Sequence, residues 1–401
     1  MGITKVSLSC QIRDVVSNVI TWNPVRDGHD QLICYIDLSS VDQNTKTISP
    51  NKSIVAREAP SRARQLVQTG DILVSTVRPN LNGVAMVNSS LNGATASTGF
   101  CVLRPDKEKL DGSYLFHWVK SLEFISDMIR KATGASYPAV SDRIVLESKI
   151  PIPPIAEQKR IAAILDKAEE LRSLRRKALA ELDAIVQSIF LEMFGDPVTN
   201  PKGWASTIAL GEAADIVSGI TKGRKLNGKA TREVPYLAVV NVQDKVLNLD
   251  ILKTIEASED EINRYRLQKN DLLLTEGGDP DKLGRGTLWN EEIIECIHQN
   301  HIFRVRLTSA DIHPLFLNWI IGSQRGKKYF LKSAKQTTGI ASINMTQLKG
   351  FPLLLPPLSL QQEFARRVEA IDRLKATQRE SLAQLDALFA SLQHRAFQGE
   401  L

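Results

Sequence analysis

The chain has 401 residues, 43% of them hydrophobic and 24% charged, which is enough for two or three folded domains and too apolar for intrinsic disorder. Its four cysteines, Cys10, Cys34, Cys101 and Cys296, lie far apart, which excludes a disulfide framework or a CxxC metal clip and fits a reducing cytoplasm. A formal net charge of +6 suits a polyanionic partner and a solvated surface equally well.

The opening MGITKVSLSCQIRD has no apolar signal-peptide stretch, and Val6 stands where a myristoylation signal needs Ser or Thr, so no export is expected. Apolar runs such as Leu315 to Ile321 fall well short of the roughly 20 residues that span a bilayer, so no membrane partner is expected. The first globular stretch reads as short runs bounded by Gly, Asn and Pro, such as Asp71 to Val77, with a helical patch at Ser113 to Lys131. Pro153-Pro154 precede a long helix with Glu157 in its opening turn, favourable to the macrodipole. Apolar residues at Ile161, Ile164, Ala168, Leu171, Ala178, Leu182, Ile185 and Ile189 form a three-four seam broken only by Arg175. Leu165, Leu174, Leu179, Val186 and Phe190 fall off that seam and are expected to meet other helices. From Glu157 to Met193 such a helix runs about 55 Å. It is expected to stop at Phe194-Gly195-Asp196-Pro197, where Gly caps and Pro cannot continue.

A second globular stretch follows, with a strand at Tyr236 to Val242 and a helical patch at His313 to Ser333. Pro356-Pro357 open a second long helix, with Ser359 and Gln362 forming a capping box. Its seam is Phe364, Val368, Ile371, Leu374, Leu382, Leu385, Leu388 and Leu392, interrupted at Lys375 and Gln378, with Phe389 off it. Both helices call for partner helices, the plainer alternative being the core of an ordinary bundle.

The two helical stretches superpose without a gap. Pro153 and Pro154 match Pro356 and Pro357, Gln158 matches Gln361, Leu182-Asp183 match Leu385-Asp386, and Phe194 matches Phe397, each 203 positions later. Upstream, Gly70-Asp71 answers Asn270-Asp271, Thr133-Gly134 answers Thr338-Gly339, and Tyr35 answers Tyr236. The chain is therefore a tandem duplication of an α+β domain followed by a long helix.

This architecture, with the phrases Pro151-Ile-Pro153-Pro154-Ile-Ala-Glu157-Gln158 and Phe194-Gly195-Asp196-Pro197, resembles the specificity subunit of Type I restriction-modification enzymes over essentially the whole chain. The resemblance implies two pseudo-repeated α/β target recognition domains, residues 1–150 and 198–350, separated by two long antiparallel coiled-coil helices. Those lie in the central and distal conserved regions, residues 151–197 and 351–401. It implies partners too: double-stranded DNA, two methyltransferase subunits, and restriction or translocase subunits. The cofactors, S-adenosylmethionine, ATP and Mg²⁺, would sit in those partners and none in this chain. Leu360 stands where the first copy has Glu157, so the two partner contacts need not be equal. Because the two domains differ in sequence, the DNA target is expected to be asymmetric and bipartite.

Candidate DNA contacts in the first domain are the cluster Arg57, Arg62 and Arg64; Arg78 and Asn80 in a turn after a strand; and Thr133, Gly134, Ser136 and Tyr137 after Arg130 and Lys131. Each also reads as a solvated turn or a helix end. In the second domain Lys222, Arg224 and Lys225, continuing through Lys229 and Arg232, form the densest basic stretch. Lys282 and Arg285 lie in a glycine-rich loop that fits no nucleotide-binding fingerprint. Arg325, Lys327, Lys328, Lys332 and Lys335 lead into Thr338 and offer phosphate contacts.

No Asn/Asp-Pro-Pro-Tyr motif, adenosylmethionine loop or GxxxxGK[ST] is present. Asp106 with Glu147 and Lys149 reads as a turn and a strand end rather than a nuclease site, and His298 with His301 lacks the zinc-protease spacing. No catalytic or metal-ligating residue is assigned. The expectation is a cytoplasmic, noncatalytic DNA-recognition and scaffolding subunit. The alternatives are the recognition subunit of a motor-less methyltransferase-nuclease system, or a coiled-coil scaffold that does not read DNA.

Overall fold

The computed structural model describes the chain except for residues 1–8, 50–52, 227, 229, 280–281 and 338–339. It divides into two compact units, residues 1–178 with 378–401, and residues 179–377.

At the centre of the first unit strand Ile72–Ser75 runs antiparallel between Phe100–Pro105 and Val84–Met86, with Val16–Ser17 beyond Phe100–Pro105. Its consecutive apolar residues suit a strand buried on both faces. Ile72 and Val74 join Leu103, Tyr114 and Leu115 in one core, and Leu73 joins Ala85, Phe100 and Val102 in another. A second sheet has the order Ser53–Val55, Leu32–Ile36, Thr95–Ser97, Ala63–Leu66, with Tyr35 paired in parallel to Thr95.

The second unit repeats this plan. Leu272–Thr275 lies between Ile302–Leu307 and Gly286–Leu288, with Ala214–Ser218 at the edge. Its other sheet is Lys253–Ala257, Arg232–Leu237 and Ile297–His298, with Tyr236 parallel to Ile297 where the first copy has Tyr35 and Thr95. The α+β class and the duplication expected from sequence are therefore present.

Each helical patch expected ahead of a Thr-Gly is two helices: Gly112–Val119 and Leu122–Lys131, then Pro314–Gly322 and Gln324–Ser333. Ser121 and Ser323 sit in extended conformation between them and accept from the N–H groups of Phe124 and Arg325. A capping serine breaks a helix without disturbing apolar periodicity, so the pattern alone does not register it.

The long helices are Ile155–Phe194 and Leu358–Gln398. The first ends as expected: Gly195, at φ 77°, donates its N–H to Leu191, while Lys202 and Trp204 donate to the carbonyls of Glu192, Met193 and Phe194. The second starts one residue before Ser359, with the Pro357 carbonyl accepting from Leu360 and Gln361, so the expected Ser359–Gln362 box does not begin it.

The second seam is the expected line with its interruptions Lys375 and Gln378 on it and Phe389 in place of Leu388, whereas the first keeps Ile161, Ala168, Arg175 and Leu182 of the expected line and otherwise shifts. On the first helix the inward line is Ile161, Leu165, Ala168, Arg172 and Arg175 in the first unit, then Leu179, Leu182 and Val186 in the second. On the second helix it is Phe364, Val368, Ile371 and Lys375 in the second unit, then Gln378, Leu382, Leu385, Phe389 and Leu392 in the first. Both lines keep the three-four spacing. In the first unit Arg172 Nε donates to Asp386 at 2.6 Å and Arg175 donates to Gln378, while in the second Lys375 pairs with Asp183 at 2.6 Å. With the Phe190 and Phe364 rings 5.6 Å apart in the second unit, these pairings make the helices antiparallel within each unit. Residues expected on the seams, Leu171, Ile185, Leu374 and Leu388, are exposed instead.

This corrects most of the expected partner surface. Leu165, Val186, Phe190 and Phe389 are at most 8% exposed and belong to the chain's own cores. Leu179 is half-buried, and Leu174, 55% exposed, remains on the surface. No helix among the described residues is long and apolar enough to cross a membrane.

Candidate nucleic-acid interface

Both units place two sequence-distant loops side by side, at the end of the central strand. In the first unit Val140 donates its N–H to Thr76 at 2.8 Å, and Ala139 bridges to both Val77 and Thr133. In the second unit Ile343 donates to Glu276 at 2.9 Å, and Gly277–Gly278 pairs with Ile340–Ser342. The loop after each central strand is thus fixed against a later segment, Ala139 and Val140 in the first unit and residues 340–343 in the second.

The first of these pairs unites two groups of predicted residues. Arg78 has the left-handed conformation, φ 50°, and begins the turn Pro79–Leu81. Its N–H donates to Pro138 at 2.7 Å and its guanidinium lies 4.4 Å from the centre of the Tyr137 ring. That cation–π contact orients the guanidinium while leaving its edge available for hydrogen bonding. Asn80, Thr133, Gly134, Ser136 and Tyr137 are exposed around it. Gly134, at φ 101°, is required: a Cβ there would stand 2.9 Å from the Tyr137 carbonyl.

Arg57, Arg62 and Arg64 lie instead along the other sheet. Arg57 pairs with Asp30, Arg62 is exposed, and Arg64 is half-buried in Ala63–Leu66. Arg62 has no ion-pair partner among the described residues.

In the second unit Lys282 and Arg285 border a recess of about 290 Å³ with Gln243 and Lys327. Arg285 donates to Gln243 Oε1 at 3.1 Å and its Nε is buried without a partner, while Lys282 pairs with Asp279. Lys328 is exposed on the neighbouring helix Gln324–Ser333. The predicted Thr338 and Lys229 lie outside the described residues, and Lys335 begins the strand Lys335–Thr337.

Three predicted phosphate ligands are otherwise engaged. Arg224 forms a fork with Glu261 and donates to the Glu256 carbonyl, and the guanidinium holds the Glu261 carboxyl down to about 2. Arg325 donates to the carbonyls of Pro352 and Pro197 and to Ser206. Arg232 is held similarly by Glu259 and Glu295. Runs of basic residues in sequence do not reveal such pairings, because the carboxylates come from elsewhere in the chain. Lys222 lies 4.9 Å from the Tyr236 ring centre and Lys225 is exposed.

The enzyme-like residues are dispersed. Glu147 pairs with Arg13 and Arg143; His298 is buried and contacts the Tyr265 and Val217 carbonyls; His301 contacts Glu276. Among the described residues no group of three or more His, Cys, Asp or Glu is placed to hold a metal.

Sequence reasoning aligned Gln158 with Gln361 without assigning either a role. Both are fully buried. Gln158 accepts from the Asp111 N–H at 2.9 Å and donates to the Lys109 and Pro153 carbonyls, and Gln361 accepts from His313 at 2.8 Å and donates to Asp311 and Pro356. Each staples a long helix to the loop that opens a domain helix, which explains why it follows the prolines in both copies.

The profile of the Type I restriction modification DNA specificity domain matches residues 39–184 and 201–387, and the chain belongs to that family, with two copies of its domain. The chain is similar to the Type I restriction enzyme StySPI specificity subunit of Salmonella potsdam, at 29% identity over 75% of this chain and 68% of the relative. It is also similar to the EcoKI specificity subunit of Escherichia coli K12, at 28% identity over the same shares. Among solved structures, a chain from a study of complex assembly and conformational transition of the type I R-M system has a TM-score of 0.62 at 24% identity, covering 98% of both chains. The Type-I restriction-modification S subunit from M. genitalium has a TM-score of 0.54 at 15% identity, covering 99% of this chain and 98% of that one. These two likenesses bear on the fold.

Proposed function

We propose that this chain is the noncatalytic DNA-reading subunit of a Type I restriction-modification system. Residues 1–150 and 198–350 are its two target recognition domains, each reading one half of an asymmetric, bipartite double-stranded target. The helical regions 151–197 and 351–401 scaffold two methyltransferase subunits, and restriction subunits join that assembly. S-adenosylmethionine, ATP and Mg²⁺ are handled by those partners.

The observation that carries this reading is the pair of adjoining loops, present once in each domain on the same supports but with different side chains: Arg78, Asn80 and Tyr137 in one, Lys282 and Arg285 in the other. Arg and Asn match the donor and acceptor edges presented in the major groove, and nearby lysines match phosphates. For docking, the first unit leaves Ile164, Leu171 and Leu174 on the outward side of its helix, beside Arg160 and Lys167. That face takes over the role expected of the residues found buried.

Co-expression with the methyltransferase encoded beside the gene, followed by mapping of N6-methyladenine across host DNA, tests the reading. A split motif with a fixed gap is expected. A stable complex that methylates no such motif overturns the two-reader assignment, and failure to form a complex overturns the docking assignment.

A further inference from the structure

A cavity of the first unit, about 730 Å³, is reached by the reading loops only at Asn82, the residue that closes the Pro79–Leu81 turn. It is bounded by the turn around Lys46, the end of helix Gly112–Val119, and the portions of both long helices that belong to this unit. Its walls are apolar at Ile48, Met86 and Leu122, and two ammonium groups border it. Lys120 places its ammonium 4.1 Å from the centre of the Phe116 ring, and Lys46 donates to the Asn82 carbonyl.

The carboxylates nearby are already in use. Glu169 and Asp386 are bridged by Arg172 and Arg176, and Glu123 contacts His394 at 3.0 Å. Neither Lys46 nor Lys120 has a carboxylate within ion-pair distance among the described residues. Burial lowers the affinity of both lysines for their protons, bringing Lys120 to about 8; Glu169 acts against this on both, with Asp42 on Lys46 and Asp166 on Lys120, while the charge of Lys46 adds to the lowering of Lys120.

The duplication supplies an internal control. The second unit has an equivalent turn, with Lys245 at the same left-handed φ of 58° as Lys46. There, however, Asp244 pairs with Lys245 at 3.2 Å, and its ammonium lies 4.6 Å from the Trp319 ring centre. Counting back from the capping serines Ser121 and Ser323, Lys120 corresponds to Gly322 and Phe116 to Asn318. The fold therefore needs neither the second lysine nor the aromatic ring at these places. The first copy keeps both, beside an open cavity, at the desolvation cost of two like charges.

We propose that this cavity binds a small organic phosphate bearing a planar ring, of mononucleotide size, with the phosphate between Lys46 and Lys120 and the ring on the apolar wall. A phosphate monoester carries close to two negative charges at neutral pH and balances two ammoniums. The volume lies within the ordinary range for ligand sites, roughly 300–1,000 Å³.

The test uses the full chain titrated calorimetrically with adenosine 5′-monophosphate, adenosine and inorganic phosphate, with acetylation of each lysine by an N-hydroxysuccinimide ester read by mass spectrometry. AMP is expected to bind about tenfold or more tightly than adenosine or phosphate alone. It is expected to shield Lys46 and Lys120 but not Lys245. Lys120→Met is expected to weaken AMP by about tenfold or more, with thermal unfolding and DNA binding unchanged. Should that variant fold poorly, Lys46→Met and the wild-type shielding pattern decide. Absence of binding at millimolar AMP, affinity indifferent to both variants, or shielding of Lys120 by duplex DNA but not by AMP overturns the proposal. The last outcome assigns the cavity to DNA. Because the two readouts concern separate residues, loss of AMP binding leaves the DNA-reading role untouched.

Discussion

In the first unit the buried Asp71 takes two bonds from Arg104, which also reaches the Leu66 carbonyl, and accepts from the Gln68 N–H. In the second, Asp271 takes two bonds from Arg306, which reaches the Arg266 carbonyl, and accepts from Gln268. The two glutamine staples repeat just as faithfully. The loops at the end of the central strand do not: an arginine stacked on a tyrosine answers an arginine bonded to a glutamine beside a recess. Buried polar groups must find their partners or lose the water they gave up, so their geometry survives duplication, whereas exposed loop residues carry no such penalty. The difference teaches where each copy holds its shape and where it is able to diverge in what it reads.

The sharpest way to break this comparison is at the buried ion pairs. Asp71→Ala and Asp271→Ala each leave an arginine without its carboxylate, and a loss of about 3–5 kcal/mol is expected in each unit. Urea unfolding followed by hydrogen exchange resolved by unit checks it, and the Asp71 change is expected to cost more because Arg104 is the less exposed arginine. A large loss in one unit with none in the other would show that the two supports are not equivalent.

Next in size are the staples. Gln158→Leu or Gln361→Leu strands one N–H and two carbonyls, at about 1–3 kcal/mol for each group left unpaired. Loosening of the start of the altered helix, read by hydrogen exchange, is expected in that unit alone.

Acid sharpens the contrast further. His298 is fully buried with only carbonyl partners, and burial lowers its pKa to about 4, whereas Ala96 fills the corresponding place in the first unit. A histidine depressed in the folded state contributes stability that is complete above the unfolded pKa of about 6.5 and is lost as pH falls toward 4, about 3 kcal/mol in all. The first unit also contains a buried histidine, His117, lowered by burial, but Asp166 at 2.7 Å offsets part of the shift. The second unit is therefore expected to loosen first on acidification, and His298→Gln to delay that loss; an unchanged order would refute the assignment.

The smallest effect on stability falls on the reading loops. Arg78→Ala is expected to change stability by less than about 0.5–1 kcal/mol, the worth of an exposed cation–π contact. Its cost appears as a loss of about 1–3 kcal/mol in binding a target duplex, confined to one half-site. Equal loss at both half-sites in competition binding would break the division of labour between the domains.

Much of the candidate site was legible residue by residue but not as a site. Arg78 and Tyr137 are 59 positions apart, and the backbone bonds of Val140 to Thr76 and Arg78 to Pro138, with the bridges of Ala139, bring their loops together. Arg224 looked available because Glu261 lies far along the chain. The unpaired lysines of the first unit's cavity left no signal of their own, since only comparison with Gly322 and Asp244 in the folded second copy makes them unusual.

By itself the sequence determined the duplication, the α+β class, the positions of the long helices and the glycine stop at Gly195. Repetition, proline and apolar spacing act locally and are written in adjacent residues. Only the tertiary structure decided the register of the first helix. Leu171, Leu174 and Ile185 offer one apolar face and Leu165, Leu179 and Val186 another, so spacing supports either. The seams carry Arg175 and Lys375, which the spacing registers only as interruptions, and Arg172, which it passes over, and Asp386, Gln378 and Asp183 stabilise them there. A charge enters an interface only when its counter-charge arrives from another helix, and that meeting is settled by the fold rather than by neighbours in the chain.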